Sequence, residues 1–265
     1  MPDTAQSPQP LAAVIMAAGQ GKRMKNPDKA KVMHALAGTP LVGHVVALAR
    51  ELGCDPVVVV VGHQRESVIT YLHALDDSVG IAVQSEQLGT AHAVLTTEEA
   101  LADFAGDVII LSGDAPMTRP STLHAALALH RERDAAVTVL TAVLPDATGY
   151  GRVIRDDAGT IVRIVEHKDA SEEERAIREF NSGIYVFDRE LLFDALHRVG
   201  NDNTQGEYYL PDVFAIFQSE GRVMVPCVVD DVDELRGVNT IEQLEEMEKL
   251  FTRRSAERES ATRGF

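Results

Sequence analysis

Short apolar runs alternate with segments of helical period through the first half of the chain. The runs at 11–16, 57–61, 81–83, 107–111 and 136–144 carry few polar residues. Each is too short to cross a membrane and reads as a buried strand. Between them, residues 41–52 place Leu41, Val45, Leu48 and Leu52 on one stripe that stops at Gly53, which predicts a helix. Further helices are predicted over 67–75, 90–101 and 120–131, the last opened by Pro120. This β-α-β-α order predicts an α/β fold: a doubly wound, mostly parallel, Rossmann-like sheet.

The second half changes character. Residues 151–155 and 160–165 read as two strands around Asp156-Asp157-Ala158-Gly159, a hairpin turn signal. A strand over 184–187, helices over 189–199 and 208–219, and a strand over 223–229 follow. Together they predict an α+β extension packed on the same sheet. A charged helix over 240–258, with Ile241, Leu244, Met247 and Phe251 on one stripe, closes the pattern. Residues 1–10 read as a disordered leader and 259–265 as a tail.

Composition narrows the class. At 265 residues and 45% hydrophobic, with no Trp, the chain can bury a mainly aliphatic core. Net charge is -16, which argues against nucleic-acid binding. No run has the roughly 18 apolar residues of a membrane helix, and the N-terminus lacks a basic signal-peptide region. Cys54 and Cys227 are far apart and show no metal-ligand spacing, so both read as reduced thiols in a cytoplasmic protein.

Against that acidic background the first strand breaks into Ala17-Ala18-Gly19-Gln20-Gly21 and then Lys22, Arg23, Lys25, Lys29 and Lys31. Gly19 and Gly21 let backbone N–H groups approach a ligand, and the cations supply charge. The stretch reads as a polyphosphate cradle or as a glycine turn with a solvated basic face. It lacks the spacing of a P-loop. It also lacks a dinucleotide fingerprint, because Met24 stands at the third glycine and the 57–61 run ends in Gly62-His63.

Three other places carry chemistry. The fourth strand ends in Ser112-Gly113-Asp114-Ala115-Pro116, where Asp114 either holds Mg2+ beside a polyphosphate or caps the next turn. Gln84 to His92 sets two amides and Gly89-Thr90 before a helix, either to read a base edge or to cap that helix. Gly149-Tyr150-Gly151, Glu166 and Asn181 offer close approach, a carboxylate and an amide. No nucleophile–base arrangement appears, and the nine histidines, among them His34, His44 and His63, read as bystanders.

Seven segments, AAGQGKRM, QSEQLGTAHA, TGYGRVIR, IVEHKDA, FNSGIYVF, NTQGEYYLPDV and LRGVNT, occur in order between Leu11 and about Leu250. They closely resemble the uridylyltransferase domain of bacterial bifunctional N-acetylglucosamine-1-phosphate uridylyltransferases, within the sugar-1-phosphate nucleotidyltransferases. The resemblance implies the nucleotide-diphospho-sugar transferase fold over residues 11–239, with a nucleotide-binding half at 11–118 and a sugar-binding half at 119–239. It implies an Mg2+-dependent transfer from UTP to N-acetylglucosamine 1-phosphate for cell-wall precursor synthesis. Arg23 and Lys31 would act on the triphosphate, and Ala18, Gly19, Gly21, Gln84, Gly89 and Thr90 would bind the nucleotide. Gly151, Glu166 and Asn181 would hold the sugar, and Asp114 and Asn239 the metal.

Three departures qualify these expectations. Ala30 stands where the family usually has proline, and one extra residue separates Arg23 from Lys31, which leaves Lys29 or Lys31 to meet the phosphates. Ser112 replaces a frequent tyrosine near the acetamido pocket, so the alternative is another sugar or base. The chain stops at Phe265 without the family's hexapeptide repeats, and a monomer or homodimer is expected. A catalytically silent nucleotide-sugar sensor is the reading from a different class.

Overall fold

The computed structural model describes residues 9–24, 26 and 28–263. Most of the leader expected over 1–10 lies outside them. The chain opens with β1 (Leu11–Ala17), two single 3-10 turns at Lys22–Met24 and Lys31–Met33, a small ribbon of β2 (Ala35–Leu36) and β3 (Thr39–Pro40), and α1 (Leu41–Glu51). Then come β4 (Val57–Val61), α2 (Arg65–Leu75), β5 (Gly80–Val83), α3 (Thr90–Leu95), β6 (Asp107–Ser112), α4 (Pro120–Glu132) and β7 (Val137–Val143). The hairpin β8 (Arg152–Arg155) and β9 (Ile161–Val165) follows, then α5 (Glu172–Arg175), β10 (Glu179–Asp188) and α6 (Arg189–Leu196). Last come α7 (Val213–Ser219), β11 (Met224–Val228) and α8 (Ile241–Arg263).

The main sheet runs β11-β7-β10-β6-β1-β4-β5, with β8 and β9 attached beside β10. Neighbours are parallel except around β10, which is antiparallel to both β6 and β7. The apolar runs are continuous because helices cover both faces of the sheet. Ala13, Ile15, Val57, Val59, Val61, Ile109 and Leu111 face one core. Ala12, Val14, Val58, Val60, Val108 and Ile110 face the other.

Four elements depart from the expectation, each for a local reason. The strand expected over 184–187 is the ten-residue β10. A register shift between Asn181 and Tyr185, with Gly183 at φ 80°, breaks its alternation. The helix expected over 90–101 ends at Leu95, where the hydroxyls of Thr96 and Thr97 turn back to the carbonyls of Ala93 and Val94. The helix expected over 208–219 is reduced to α7 behind a 3-10 turn, Leu210–Asp212, that contains Pro211. Finally, α8 runs to Arg263, through most of the expected tail. Its packed stripe is the buried Met247 with the half-buried Leu244, Leu250 and Phe251, set against Met24, Leu36, Leu41, Met117 and Val238, while Ile241 stays exposed.

Among the described residues no helix is long and apolar enough to cross a membrane. Cys54 is buried, Cys227 is half-buried, and neither forms a disulfide.

Candidate active site

The carboxyl ends of β1 and β6 open into a cavity of about 460 Å3, where ligands of open α/β sheets bind. At one end lie the charged groups. Lys31 Nζ donates to Asp114 Oδ2 and, at 3.2 Å, to Asn239 Oδ1. Arg23 donates to the same Asn239 oxygen at 2.8 Å. Ser112 Oγ donates to the other Asp114 oxygen at 2.6 Å. Burial pushes the Asp114 carboxyl up, but the Lys31 ammonium and the hydrogen bonds from Lys31 and Ser112 outweigh it and hold the carboxyl below its ordinary range.

Of the two candidate lysines, the structure brings Lys31 to the cavity. Gly21 has φ +60°, and a Cβ there would stand 2.8 Å from Lys31 Cβ, so the glycine turn lets the Lys31 stem pass into the cavity. Lys31 lines the cavity, whereas Lys29 is exposed and does not.

At the other end the wall is amide. Gln84 is buried; its Nε2 donates to the Gly89 carbonyl at 2.9 Å and lies 3.1 Å from His92 Nδ1. With the N–H groups turned inward, what Gln84 offers a ligand is its carbonyl oxygen, an acceptor. Gln87 donates to the Ala18 carbonyl and accepts from Gln20, which ties this wall to the glycine loop. Ala18, Gly19, Gly21, Arg23, Lys31, Gln84, Gly89, Thr90, Asp114 and Asn239 all line this one cavity.

Gly151, Glu166 and Asn181 do not line it but gather with one another. Asn181 N–H donates to the Gly151 carbonyl at 2.9 Å, and a Cβ on Gly151 would meet Glu166 Oε1 at 3.4 Å. Burial raises the Glu166 carboxyl, and Asp212, Asp169 and Glu207 raise it further. Glu207 also lines the main cavity and so joins the two groups.

Asp212 is pushed up to about 6, by burial and then by Asp169. Its folded value exceeds the unfolded one of 3.8. Between these values the unfolded chain releases the proton and the folded chain keeps it, so stability falls as pH rises through the window. Asp212→Asn is expected to stabilise the fold by about 1–2 kcal/mol at pH 7.5 and by less at pH 4.5, read from urea midpoints. An equal gain at both pH values would contradict this origin.

Sequence reasoning placed Gln20 and Lys22 in the basic glycine loop without singling them out and missed Glu207; all three line the cavity. Glu207 sits in a loop fastened by Asn203, whose side chain donates to the Glu207 carbonyl and accepts from its N–H. The segment NTQGEYYLPDV that contains it is among those carrying the family resemblance, and that is its only signal. No histidine among the described residues lines the cavity. Among the described residues no three His, Cys, Asp or Glu side chains gather as for a closed metal site.

Comparison with known proteins gives the family and the fold. The chain is 50% identical over 251 residues to the bifunctional protein GlmU of Streptomyces griseus, covering 94% of this chain and 52% of that protein. With the same-named protein of an Exiguobacterium species it shares 49% over 246 residues, 93% of this chain and 54% of that one. The chain thus spans about half the length of the curated relatives it matches. A solved UDP-glucose pyrophosphorylase complexed with UDP-glucose superposes with a TM-score of 0.73 at 18% identity, covering 92% of this chain and 99% of that one, which supports the fold. Residues 12–233 match the nucleotidyl transferase family by description, and the chain belongs to that family.

Proposed function

We propose that this chain transfers a uridylyl group from UTP to N-acetylglucosamine 1-phosphate, giving UDP-N-acetylglucosamine and pyrophosphate. The observation that carries the reading is the polarity of one cavity: an amide acceptor, Gln84, at one end and Arg23, Lys31, Asp114 and Asn239 at the other. An acceptor suits the ring N–H of uracil and not the unprotonated ring nitrogen of cytosine. The identity to the two GlmU proteins supports the same substrates.

The residues fit a hard divalent cation such as Mg2+. Two oxygen donors, Asp114 Oδ2 and Asn239 Oδ1, already converge on one positive centre, Lys31 Nζ, and a set of few protein oxygens suits an ion whose other positions go to phosphate and water. When bound, such an ion neutralises phosphate charge. The residues do the remaining work. The sugar-phosphate oxygen forms a bond to the α-phosphorus as the bond from that phosphorus to the β-bridging oxygen breaks, and pyrophosphate leaves. The attacking phosphate is already ionised at neutral pH, so no general base is needed. Arg23 and Lys31 offset the charge that develops on the transferred group, and the loop at Gly19 and Gly21 holds the nucleotide in line.

Residues 11–118 are read as the nucleotide half and 119–239 as the sugar half, with Glu207 and Asn239 reaching across. The Gly151, Glu166 and Asn181 cluster then receives the amino sugar. A second reading, another sugar on the same chemistry, rests on Ser112, whose small side chain lines the cavity and is bonded to Asp114. Pyrophosphate release across nucleoside triphosphates and sugar 1-phosphates decides between them. UTP with N-acetylglucosamine 1-phosphate is expected to give the highest kcat/KM; a better pair would replace this assignment.

A further inference from the structure

We infer that Gln243, on the C-terminal helix and outside the cavity, is a positioning residue for Asn239. The inference rests on the proposed function and concerns how this chain sets one of its metal-side oxygens.

Helix α8 begins behind Thr240, whose hydroxyl accepts from the Gln243 N–H at 3.2 Å. In a capping box the side chain at the third helical position bonds the backbone N–H of the cap residue itself. Here Gln243 reaches one residue farther back: its Oε1 accepts from the Asn239 N–H at 2.8 Å. The start of the helix and the placement of Asn239 are therefore one structure. Asn239 Nδ2 donates to the Gly237 carbonyl at 3.3 Å, which turns Oδ1 toward Arg23 and Lys31.

The same segment also sets Asp114. Val238 N–H donates to the Asp114 carbonyl at 2.9 Å. A Cβ on Gly237 would stand 3.0 Å from Asp114 Oδ1. Behind this contact, Val238 packs with Met24, the neighbour of Arg23, and with Met247 of α8. The helix thus backs the Arg23 turn, and the Gly237–Asn239 run touches Asp114 directly. Gln243 is the polar link in that chain: without it the Asn239 backbone loses its acceptor, and only the Gly237 bond and the two cations are left to hold Oδ1.

Partners that orient a metal ligand are worth about 10- to 100-fold in metal affinity when lost. Gln243→Ala is expected to raise the half-saturating Mg2+ concentration about tenfold. At saturating Mg2+ its kcat should lie within about threefold of wild type. Calorimetric binding of UTP in EDTA should change less than about twofold, because Gln84 and the cations are untouched, while binding with Mg2+ should weaken. Hydrogen exchange at the Asn239 amide should accelerate in the ligand-free protein.

Two companion variants separate positioning from helix stability. Gln243→Glu keeps an oxygen for the Asn239 N–H and should restore the wild-type Mg2+ requirement. Thr240→Ala weakens the helix cap but leaves that acceptor, and should not shift the requirement. An unchanged Mg2+ requirement in Gln243→Ala, an equal shift in Thr240→Ala, or failure of Gln243→Glu to restore it would overturn the inference. If the wild type transfers no uridylyl group, the functional proposal falls by itself; exchange at Asn239 and Mg2+-dependent UTP binding still test the positioning.

Discussion

Asp114→Asn is expected to lower turnover at least about 1,000-fold, equivalent to about 4 kcal/mol of transition-state stabilisation. The substitution preserves shape and removes charge. The carboxylate it replaces is 7% exposed and takes hydrogen bonds from both Lys31 and Ser112, so it is held ionised. An amide can accept from the same donors, so the wall of the cavity should persist. It cannot offer a full negative charge to a divalent ion, and it leaves the Lys31 ammonium without its carboxylate. The cost to folding should be about 1–3 kcal/mol, because one partner of a largely buried ion pair is lost. Pyrophosphate release, urea unfolding and UTP binding in EDTA separate these effects. Metal-free UTP binding should survive because Gln84 is untouched. Activity within tenfold of wild type would remove Asp114 from the metal-side pair.

Much of this site was legible because its chemistry is local. The glycine loop and the carboxylate after β6 each follow a buried strand, which a wholly apolar run marks wherever both sheet faces are covered, and the Gln84–Thr90 segment follows the short edge strand β5. The remainder depended on contacts distant in sequence. Which lysine enters the cavity depends on the passage of the Lys31 stem over Gly21. Gln243 has an ordinary position on a charged helix, and only the chain reversal before α8 gives it Asn239 as a partner. β10 was read short because its bulge places Asn181, Ser182 and Gly183 inside a strand, with Ser182 Oγ donating to the Leu140 carbonyl across the register shift. Asn181 lies in that irregular stretch, so the pattern failed where the chain carries a candidate site residue.

Gly89→Ala is expected to damage both stability and nucleotide binding, for a reason that no charge argument supplies. Gly89 has φ +113° and ψ 177°, a region that is essentially glycine's alone. A Cβ there would lie 2.4 Å from the Tyr208 carbonyl oxygen and 2.7 Å from its nitrogen. These are backbone atoms, and they cannot yield freely. Tyr208 N–H donates to the Leu88 carbonyl at 2.7 Å, and the Tyr208 carbonyl accepts from Ala91 N–H at 2.8 Å. Leu210 N–H adds a bond to Thr90 Oγ1 at 2.8 Å. The methyl group must therefore push apart a pair of segments that are held together on either side of it. Strain and lost hydrogen bonds together should cost about 3 kcal/mol or more, a fall in Tm of about 6 °C or more for a chain of this size. Their separation also moves the Gly89 carbonyl that anchors Gln84 and the Glu207 loop next to Tyr208. UTP affinity should drop at least about tenfold, the loss of one well-placed hydrogen bond to a buried group. Gly19→Ala is the control for stability, since a Cβ at Gly19 meets nothing within 4 Å. It should leave the unfolding midpoint unchanged although it lies in the same cavity. If Gly89→Ala unfolds at the wild-type midpoint, the Leu88–Tyr208 junction bends more easily than its hydrogen bonds imply, and Gln84 loses its claim to a fixed orientation.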